Sequence, residues 1–319
     1  MATASRGASN NAKAYGLDIN PLINLATTWI SDRRAPTEQT TGDELHLPAP
    51  DETYTRDVDW NRDAHPHHLV LWLAEGVGAQ YLRSFGATED TPPQLDRLAK
   101  NSLRFTRYYA TAPTSITAIF GTLCGMYPYP DYEIITRVNP RIACPSLMET
   151  LVARGYDAAL FHGGIFGFTD KLKFLGERGF SRLLDAESVP DRERYFSNGW
   201  GIDDRAILDQ AIQWLDARED PNRPTLAVFI PLIPHYPYFL PAEVPRPFGE
   251  RSDKQKYLNG VHYTDALFGE LVAAYSERGL ADDTLFVFLG DHGQAFFQHP
   301  QNKLHALALY EENVHVPLV

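Results

Sequence analysis

Four short apolar runs, spread along most of the chain, constrain its fold more than any other feature. They are His68–Leu73, Asp157–Phe161, Thr225–Ile230 and Thr284–Leu289. Each is apolar at nearly every position, which is typical of a strand buried on both faces of a sheet. Helical patterns occupy the intervals, at 91–101, 116–124, 145–154, 203–217 and 261–279. This alternation predicts an α/β fold with a mostly parallel central sheet and helices on both faces.

Polar residues follow each apolar run, where a strand of the predicted sheet would end. They are Glu75, His162, His235 and the pair Asp291-His292. In parallel sheets of this kind, ligands bind at the carboxyl ends of the strands. These residues are therefore the first candidates for a functional site.

Composition and length indicate one main domain preceded by an arm. Of the 319 residues, 44% are hydrophobic and 22% are charged, which suffices for a sizeable core. Residues 1–64 are rich in small and polar side chains, and their one apolar patch, at 21–30, is long enough for a short amphipathic helix. We expect an N-terminal arm over 1–64 and a domain over 65–319.

The charge balance excludes one class of partner. Acidic residues outnumber basic ones, 41 to 29, and no run of Lys and Arg longer than a pair occurs. Nucleic-acid binding is therefore not expected. An anionic substrate would have to be attracted by a local metal ion and a few nearby cations.

Two further features concern the cellular compartment. No window approaches 18 apolar residues, and the first 30 residues lack the pattern of a signal peptide. Cys124 and Cys144 match neither a zinc site nor a redox Cys-x-x-Cys motif. Two buried thiols and a disulfide both remain open, because spacing does not tell whether two Cα atoms approach each other.

Glu75 and Asp291-His292 are candidate metal ligands. A buried carboxylate at a strand end needs a partner, and either a metal ion or an Arg side chain meets that need. Asp and His at the end of a strand can both reach one cation, since the backbone turns there.

Ser115 and Thr114 precede the helical pattern at 116–124. A hydroxyl in this position often caps the helix. The alternative is a nucleophile, activated by a nearby metal ion or base. His162, His235 and His305 are likewise either structural histidines or donors to the oxygens of a bound anion.

Taken in order, these motifs resemble one family. The resemblance covers residues 68–319 and lies in the sulfatase-like branch of the alkaline phosphatase superfamily. The matching segments are Leu73-Ala74-Glu75-Gly76, Ala112-Pro113-Thr114-Ser115, Cys124-Gly125 with Tyr127-Pro128, Phe161-His162-Gly163-Gly164, Pro234-His235 with Pro237, Asp291-His292-Gly293, and His305 with Tyr310-Glu311-Glu312 and Val316-Pro317-Leu318.

Details within these motifs separate the branches of the family. Formylglycine sulfatases carry Asp-Asp at the first strand end and an Arg four residues after the nucleophile, whereas this chain has Ala74-Glu75 and Ile119. Two-metal members need acidic residues just before His235, and none is present. The chain looks most like lipoteichoic acid synthase and phosphoglycerol transferases, and more distantly like phosphoethanolamine transferases.

The resemblance implies a set of roles. Glu75, Ser115, Asp291 and His292 would bind one divalent ion: Mn²⁺, Mg²⁺ or Zn²⁺, with Ca²⁺ as a further candidate. Gapless spacing to Tyr127-Pro128 places the nucleophile on Ser115, where the family usually has Thr, and leaves Thr114 to contact substrate. The remaining matches imply that oxyanion charge is stabilised by His162, His235, His305 and Lys171.

The expected function is a single-metal phosphotransferase or phosphodiesterase-type hydrolase. It would act on a phosphodiester or a phospholipid headgroup through a phosphoseryl intermediate, with acceptor specificity set by loops such as 163–200 and 236–258. The alternatives are an atypical sulfate-ester hydrolase and a non-catalytic member that binds glycans or lipid headgroups. The family also implies a cell-envelope location on the extracytoplasmic face of a membrane, and a fold that continues beyond Val319.

Overall fold

A five-stranded parallel sheet organises the part of the chain that the computed structural model describes, residues 67–88, 91–128, 134–144, 146–306 and 308–319. Its strands are β1 (His68–Ala74), β2 (Asp157–His162), β3 (Arg182–Leu184), β4 (Thr225–Ile230) and β5 (Thr284–Gly290). The spatial order is β3-β2-β4-β1-β5, and every pairing is parallel. The four predicted strands and the α/β fold class are confirmed.

The centre of the sheet is β1, which is hydrogen-bonded to β4 on one side and to β5 on the other. Trp72 lies opposite Phe229 and Phe288 in this register, and the rings of Trp72 and Phe229 stack at 5.2 Å. Because all the strands run the same way, their carboxyl ends meet along one edge of the sheet. Glu75, which follows β1, and Asp291, which follows β5, are therefore neighbours.

The helices are α1 (Pro93–Leu98), α2 (Ser115–Cys124), α3 (Ile135–Val138), α4 (Leu147–Val152), α5 (Lys171–Leu175), α6 (Asp204–Asp216), α7 (Asp253–Glu277) and α8 (Glu311–Val314). Short 3₁₀ helices lie at Ala79–Tyr81, Arg83–Phe85, Ala99–Asn101, Phe168–Asp170, Arg192–Arg194 and Ala281–Asp283. Each of the five predicted helical intervals contains an α-helix.

The longest helix, α7, begins at Asp253 and not at 261 as the apolar stripe predicted. Its first turn, residues 253–256, is polar and lies before that stripe. It is stabilised by a capping box, in which Ser252 accepts from the backbone N–H of Gln255 and the Gln255 side chain accepts from that of Ser252. The Ser-x-x-Gln spacing was the sequence signal for this start.

Both faces of the sheet are covered, as predicted. One core packs α6 and α7 against the sheet through residues such as Trp72, Leu208 and Leu267. The other packs α2, α4 and α5 against the opposite face through residues such as Phe120 and Met148. The helix that begins with Ser115 is thus fixed on one face of the sheet.

A small antiparallel pair, β6 (Ala295–Phe296) and β7 (Lys303–Leu304), follows the central sheet. It folds the chain back after Asp291-His292, so that His305 returns to the same edge. The imidazole rings of His292 and His305 stack with their centroids 4.0 Å apart.

The predicted N-terminal arm at 1–64, with its amphipathic segment at 21–30, lies outside the described residues. Within the described part of the chain, none of the helices combines the length and apolarity that a membrane span requires.

The packing of α7 against α1 depends on one buried carboxylate. The two oxygens of Asp265 accept the backbone N–H groups of Gln94 and Leu95, at 2.8 and 2.7 Å. These donors belong to the first turn of α1 and have no partner within that helix. We predict that Asp265→Ala lowers the free energy of unfolding by about 2–4 kcal/mol, because two buried donors lose their acceptor. Urea denaturation monitored by circular dichroism measures the change.

The exposed Asp282 provides the control. Its replacement by Ala should change the free energy of unfolding by less than about 0.5 kcal/mol. Equal urea midpoints for the two variants would show that Asp265 does not hold α1 in place.

Candidate active site

Glu75, Asp291 and His292 converge at the carboxyl edge of β1 and β5. One potential ligand atom from each lies within 4.8 Å of the other two, and all three side chains are buried. The distance from Nε2 of His292 is 3.6 Å to Oε1 of Glu75 and 3.7 Å to Oδ2 of Asp291. The adjacency of two parallel strands thus brings together three of the predicted metal ligands.

Backbone groups hold this cluster in position. Oδ1 of Asp291 accepts the N–H of Gly76, at 2.8 Å, and the N–H of His292, at 2.6 Å. These bonds tie the turn after β1 to the turn after β5 and leave Oδ2 for another partner. Gly76 is suited to this turn because its φ of 62° is in the left-handed region, which favours glycine.

Ser115 joins the same cluster from the start of α2. Its Oγ donates to Oε2 of Glu75 at 3.0 Å and lies 3.0 Å from Nε2 of His292. Thr114, at the N-cap, instead donates its hydroxyl to Oγ1 of Thr117, at 3.0 Å. The helix-capping alternative for Ser115 is wrong, since Ser115 is the first helical residue and its hydroxyl faces Glu75 and His292.

The electrostatics of this cluster favour a bound cation. Burial, reinforced by the Asp291 carboxylate, raises the pKa of Glu75 well above its ordinary value. Burial also raises the pKa of Asp291 to about 6 and lowers that of His292 to about 4. Two buried carboxyl groups this close cannot both ionise cheaply without a positive partner. Carboxylate, imidazole and hydroxyl donors fit a divalent ion such as Zn²⁺, Mn²⁺ or Mg²⁺.

Three histidines of the site share one hydrogen-bonding pattern. In each of them, Nδ1 lies within hydrogen-bonding distance of a backbone carbonyl oxygen. The distance is 2.9 Å from His162 to Ile230, 2.6 Å from His235 to Tyr236 and 2.9 Å from His292 to Gly293. A carbonyl oxygen only accepts, so Nδ1 carries the proton in His235 and His292. In the neutral ring of either residue, Nε2 is then left with its lone pair free for a metal ion or a proton. Nδ1 of His162 also lies 3.3 Å from the backbone N–H of Gly164, which can donate to it.

His162, His235 and His305 line the same cavity as Ser115. Burial lowers the pKa of His162 and of His305 to about 3, and it also lowers that of His235. Nε2 of His162 and Nδ1 of His305 have no hydrogen-bond partner among the described residues. Buried polar nitrogens of this kind call for a ligand or solvent partner.

Lys171 is buried at the side of the same cavity. Its Nζ donates to the carbonyl of Phe168 at 2.9 Å and lies 5.1 Å from the centre of the Phe168 ring. Burial lowers its pKa to about 8, which the negative charge of Glu75 partly opposes. Lys171 is the one Lys or Arg among the described residues that line the cavity.

The cavity has a volume of about 730 Å³, which is in the range of small-molecule sites. Every predicted catalytic and substrate-binding residue lines it: Ser115, Thr114, His162, His235, His305 and Lys171. Glu75 also lines it, whereas Asp291 and His292 lie behind Ser115. The structure therefore brings the whole predicted set to one place, and the individual roles remain predictions.

Two supporting residues were not predicted from the sequence. The oxygens of Asp204 accept the N–H groups of Leu232 and Ile233, at 2.7 and 2.8 Å, and so hold the loop that carries His235. The side-chain NH₂ of Asn313 donates to the backbone carbonyl of His305, at 3.0 Å. The backbone carbonyl of Asn313 accepts the N–H of Gly293, at 2.8 Å. The position of Asp204 at the start of the pattern at 203–217 resembled an ordinary cap, and Asn313 carried no local signal.

Cys124 and Cys144 form a disulfide, which resolves the alternative that the sequence left open. It joins the last residue of α2 to the segment before α4. The helix that carries Ser115 is thus covalently tied at the end opposite the site.

The chain matches the Sulfatase family model over residues 67–319 and belongs to that family. It is 25% identical over 271 residues to human arylsulfatase A, an alignment that covers 72% of this chain and 52% of the relative. The chain spans about half or less of the length of the curated relatives it matches.

Solved structures show the same fold, that of the alkaline phosphatase superfamily. The lipoteichoic acid synthase LtaP from Listeria monocytogenes aligns with a TM-score of 0.66 at 21% identity, covering 80% of this chain and 65% of that one. The C-terminal periplasmic domain of EcEptC from Escherichia coli, in complex with Zn, aligns with a TM-score of 0.61 at 16% identity, covering 80% and 72%. The predicted superfamily is confirmed.

We predict that Asp291→Asn binds a divalent ion at least about 100-fold more weakly than the wild type. Asn retains the oxygen that accepts from Gly76 and His292, so the two turns stay connected while the charge is lost. Equilibrium dialysis against Zn²⁺ or Mn²⁺, followed by elemental analysis, measures the affinity.

Asp282→Ala again serves as the control, because it removes an exposed carboxylate from another part of the surface. Its metal content should equal that of the wild type. A full equivalent of tightly bound metal in Asp291→Asn would place the metal site elsewhere.

Proposed function

We propose that this chain carries the catalytic domain of a single-metal phosphotransferase or phosphodiesterase-type hydrolase with Ser115 as its nucleophile. The observation that supports this most is the position of the Ser115 Oγ, 3.0 Å from both Glu75 Oε2 and His292 Nε2. A nucleophilic hydroxyl needs a group that removes or replaces its proton, and these contacts provide it.

One divalent ion, held by Glu75, Ser115, Asp291 and His292, would lower the pKa of the hydroxyl and offset the charge of the phosphate. Ser115 then attacks phosphorus: a bond from Oγ to phosphorus forms while the bond from phosphorus to one alcohol breaks. Ser115 is the first residue of α2, and the positive end of a helix favours negative charge there.

The histidines supply and remove protons in this scheme. Nε2 of His162 has no hydrogen-bond partner among the described residues, and Nε2 of His235 carries a lone pair in the neutral ring because its Nδ1 proton is donated to a carbonyl. A phosphate anion in the cavity favours the protonated ring, whose Nε2–H can be given to the departing alcohol. The same nitrogen can later take a proton from the water or alcohol that releases the phosphoryl group from Ser115.

A phosphodiester suits the charge of the site better than more highly charged esters. Among the described residues that line the cavity, Lys171 is the only basic side chain besides the histidines, and burial lowers its pKa. A diester carries a single negative charge, which Lys171 and the metal ion can balance. A phospholipid headgroup or another small phosphodiester is therefore the proposed substrate.

The proposed location is the extracytoplasmic face of a membrane. The disulfide between Cys124 and Cys144 supports it, since disulfides persist in oxidising compartments. The periplasmic origin of the EcEptC domain is consistent with this location. Association with the membrane or cell envelope belongs to the same proposal.

A sulfate-ester hydrolase is the second candidate, favoured by the match to the Sulfatase family and the similarity to arylsulfatase A. Its chemistry in this family depends on a formylglycine made within a motif that carries an Arg, and Ile119 stands in that position. An unmodified Ser115 suits phosphorus, because an in-line acceptor can open a phosphoseryl group.

We predict that Ser115→Ala lowers the turnover of a phosphodiester by about 10³-fold or more, since the attacking atom is removed. Thr114→Ala is the matched control, and it should reduce turnover far less because the Thr114 hydroxyl contacts only Thr117 among described side chains. Peptide mapping after brief exposure to substrate should find phosphate on Ser115. A label on Thr114 would contradict the assignment.

We also predict that kcat/KM is higher for a nitrophenyl phosphodiester than for the corresponding sulfate ester or phosphomonoester. All three probes share one leaving group, so the comparison isolates the group that is transferred. A sulfate ester turned over at least as fast as the diester would support the sulfatase alternative. Binding of all probes without turnover by the metal-loaded protein would support a non-catalytic member.

A further inference from the structure

The cavity wall contains two chemically different sets of side chains. Ser115, His162, Lys171 and His235 are the polar groups that a bound phosphate would contact. Apolar surface is contributed by Ile116, Ile119, Ile165, Phe168, Trp200 and Leu232. A volume of about 730 Å³ leaves room for a substantial part of the substrate beyond its phosphate.

Trp200 is presented to this cavity by a well-fixed turn. Oδ1 of Asn198 accepts the N–H of Trp200 at 2.8 Å, and the N–H of Asn198 donates to the carbonyl of Gly201 at 2.9 Å. The N–H of Ile202 donates to the carbonyl of Gly163, also at 2.9 Å. The turn is thus seated against the residues that follow His162.

Gly201 shows how closely this turn is packed. A Cβ atom at this position would lie 2.1 Å from the carbonyl oxygen of Gly163, so no other residue fits without a shift of the backbone. The backbone that carries Trp200 is therefore fixed before a ligand arrives, which reduces the entropy cost of binding.

Trp200 is 42% exposed although it lines the cavity. Its ring centroid is 4.5 Å from that of His235, and the Phe168 ring meets it edge-on at 5.9 Å. Large aromatic side chains that are rigidly held and left open to solvent are typical of binding surfaces. We call Trp200 and Phe168 the aromatic platform.

We propose that the aromatic platform is a subsite for a flat ring, glycosyl or aryl, carried by one alcohol of the substrate. The proposal rests on the proposed function for the position of the phosphate beside Ser115. A ring fits better than an acyl chain because polar groups border the platform: Lys171 Nζ lies over Phe168, and His235 lies against Trp200. A sugar ring pairs an apolar face with polar edges in the same way.

The test measures binding, so it does not depend on turnover. Methylphosphonate, phenylphosphonate and hexylphosphonate are titrated into the metal-loaded protein by calorimetry, with glucose 1-phosphate as the sugar probe. Phenylphosphonate should bind about tenfold more tightly than methylphosphonate, since ring stacking and burial contribute on the order of 1.4 kcal/mol. Trp200→Ala should reduce this ratio to below about twofold and leave methylphosphonate affinity unchanged.

Two variants make the result specific. Trp200→Phe should retain most of the phenyl preference, and Phe239→Ala should retain all of it, because Phe239 is an exposed aromatic residue that does not line the cavity. Unchanged methylphosphonate affinity shows that each variant is folded. A glucose 1-phosphate affinity that also falls in Trp200→Ala assigns the platform to sugars, whereas a fall for phenylphosphonate alone assigns it to aryl groups.

A phenyl-to-methyl ratio that is the same in Trp200→Ala and in the wild type, in both the phosphonate pair and the sulfate pair described below, overturns the proposal. The proposal is also overturned if hexylphosphonate binds as tightly as phenylphosphonate and its affinity falls equally in Trp200→Ala. That result would indicate a site for an acyl chain. The pair phenyl sulfate and methyl sulfate separates this inference from the proposed function. A Trp200-dependent ratio in that pair alone would retain the platform and reject the phosphorus chemistry.

Discussion

Two buried carboxyl groups at the ends of neighbouring strands are the constraint on which the rest of the site depends. Glu75 and Asp291 face each other where β1 and β5 end, and burial raises the pKa of both. Such a pair is costly to ionise unless a cation lies between them. The surrounding residues are arranged consistently with that need: His292 directs a free nitrogen at the pair, and Ser115 adds a hydroxyl.

Backbone hydrogen bonds, more than side-chain packing, orient the groups around this pair. One oxygen of Asp291 connects the turns after β1 and β5, and Asp204 holds the loop before His235. His235 and His292 donate their Nδ1 protons to carbonyls. In the neutral ring, Nε2 then offers a lone pair to a metal ion or a proton.

Sequence patterns predicted some elements better than others, for identifiable reasons. The four doubly buried strands stood out because they are apolar at nearly every position, whereas Arg182–Leu184 is too short for any pattern. The helix α7 begins earlier than the apolar stripe predicted, since its first turn is polar and is stabilised by a capping box. Trp200 lies at the end of the loop 163–200, where specificity was expected, yet no spacing identified it as part of the cavity wall.

The sequence by itself determined which chemistry is available. The order of strand runs and the polar residues after them defined the fold class, the family and the set of candidate ligands, since these depend on local burial and on residue type. Only the tertiary structure decided how that set is used. The order β4-β1-β5 places Glu75 beside Asp291, and the start of α2 turns Ser115 and not Thr114 toward them. The pairing of Cys124 with Cys144 and the approach of Trp200 to His235 were decided in the same way, because distances between residues far apart in the chain are set by packing.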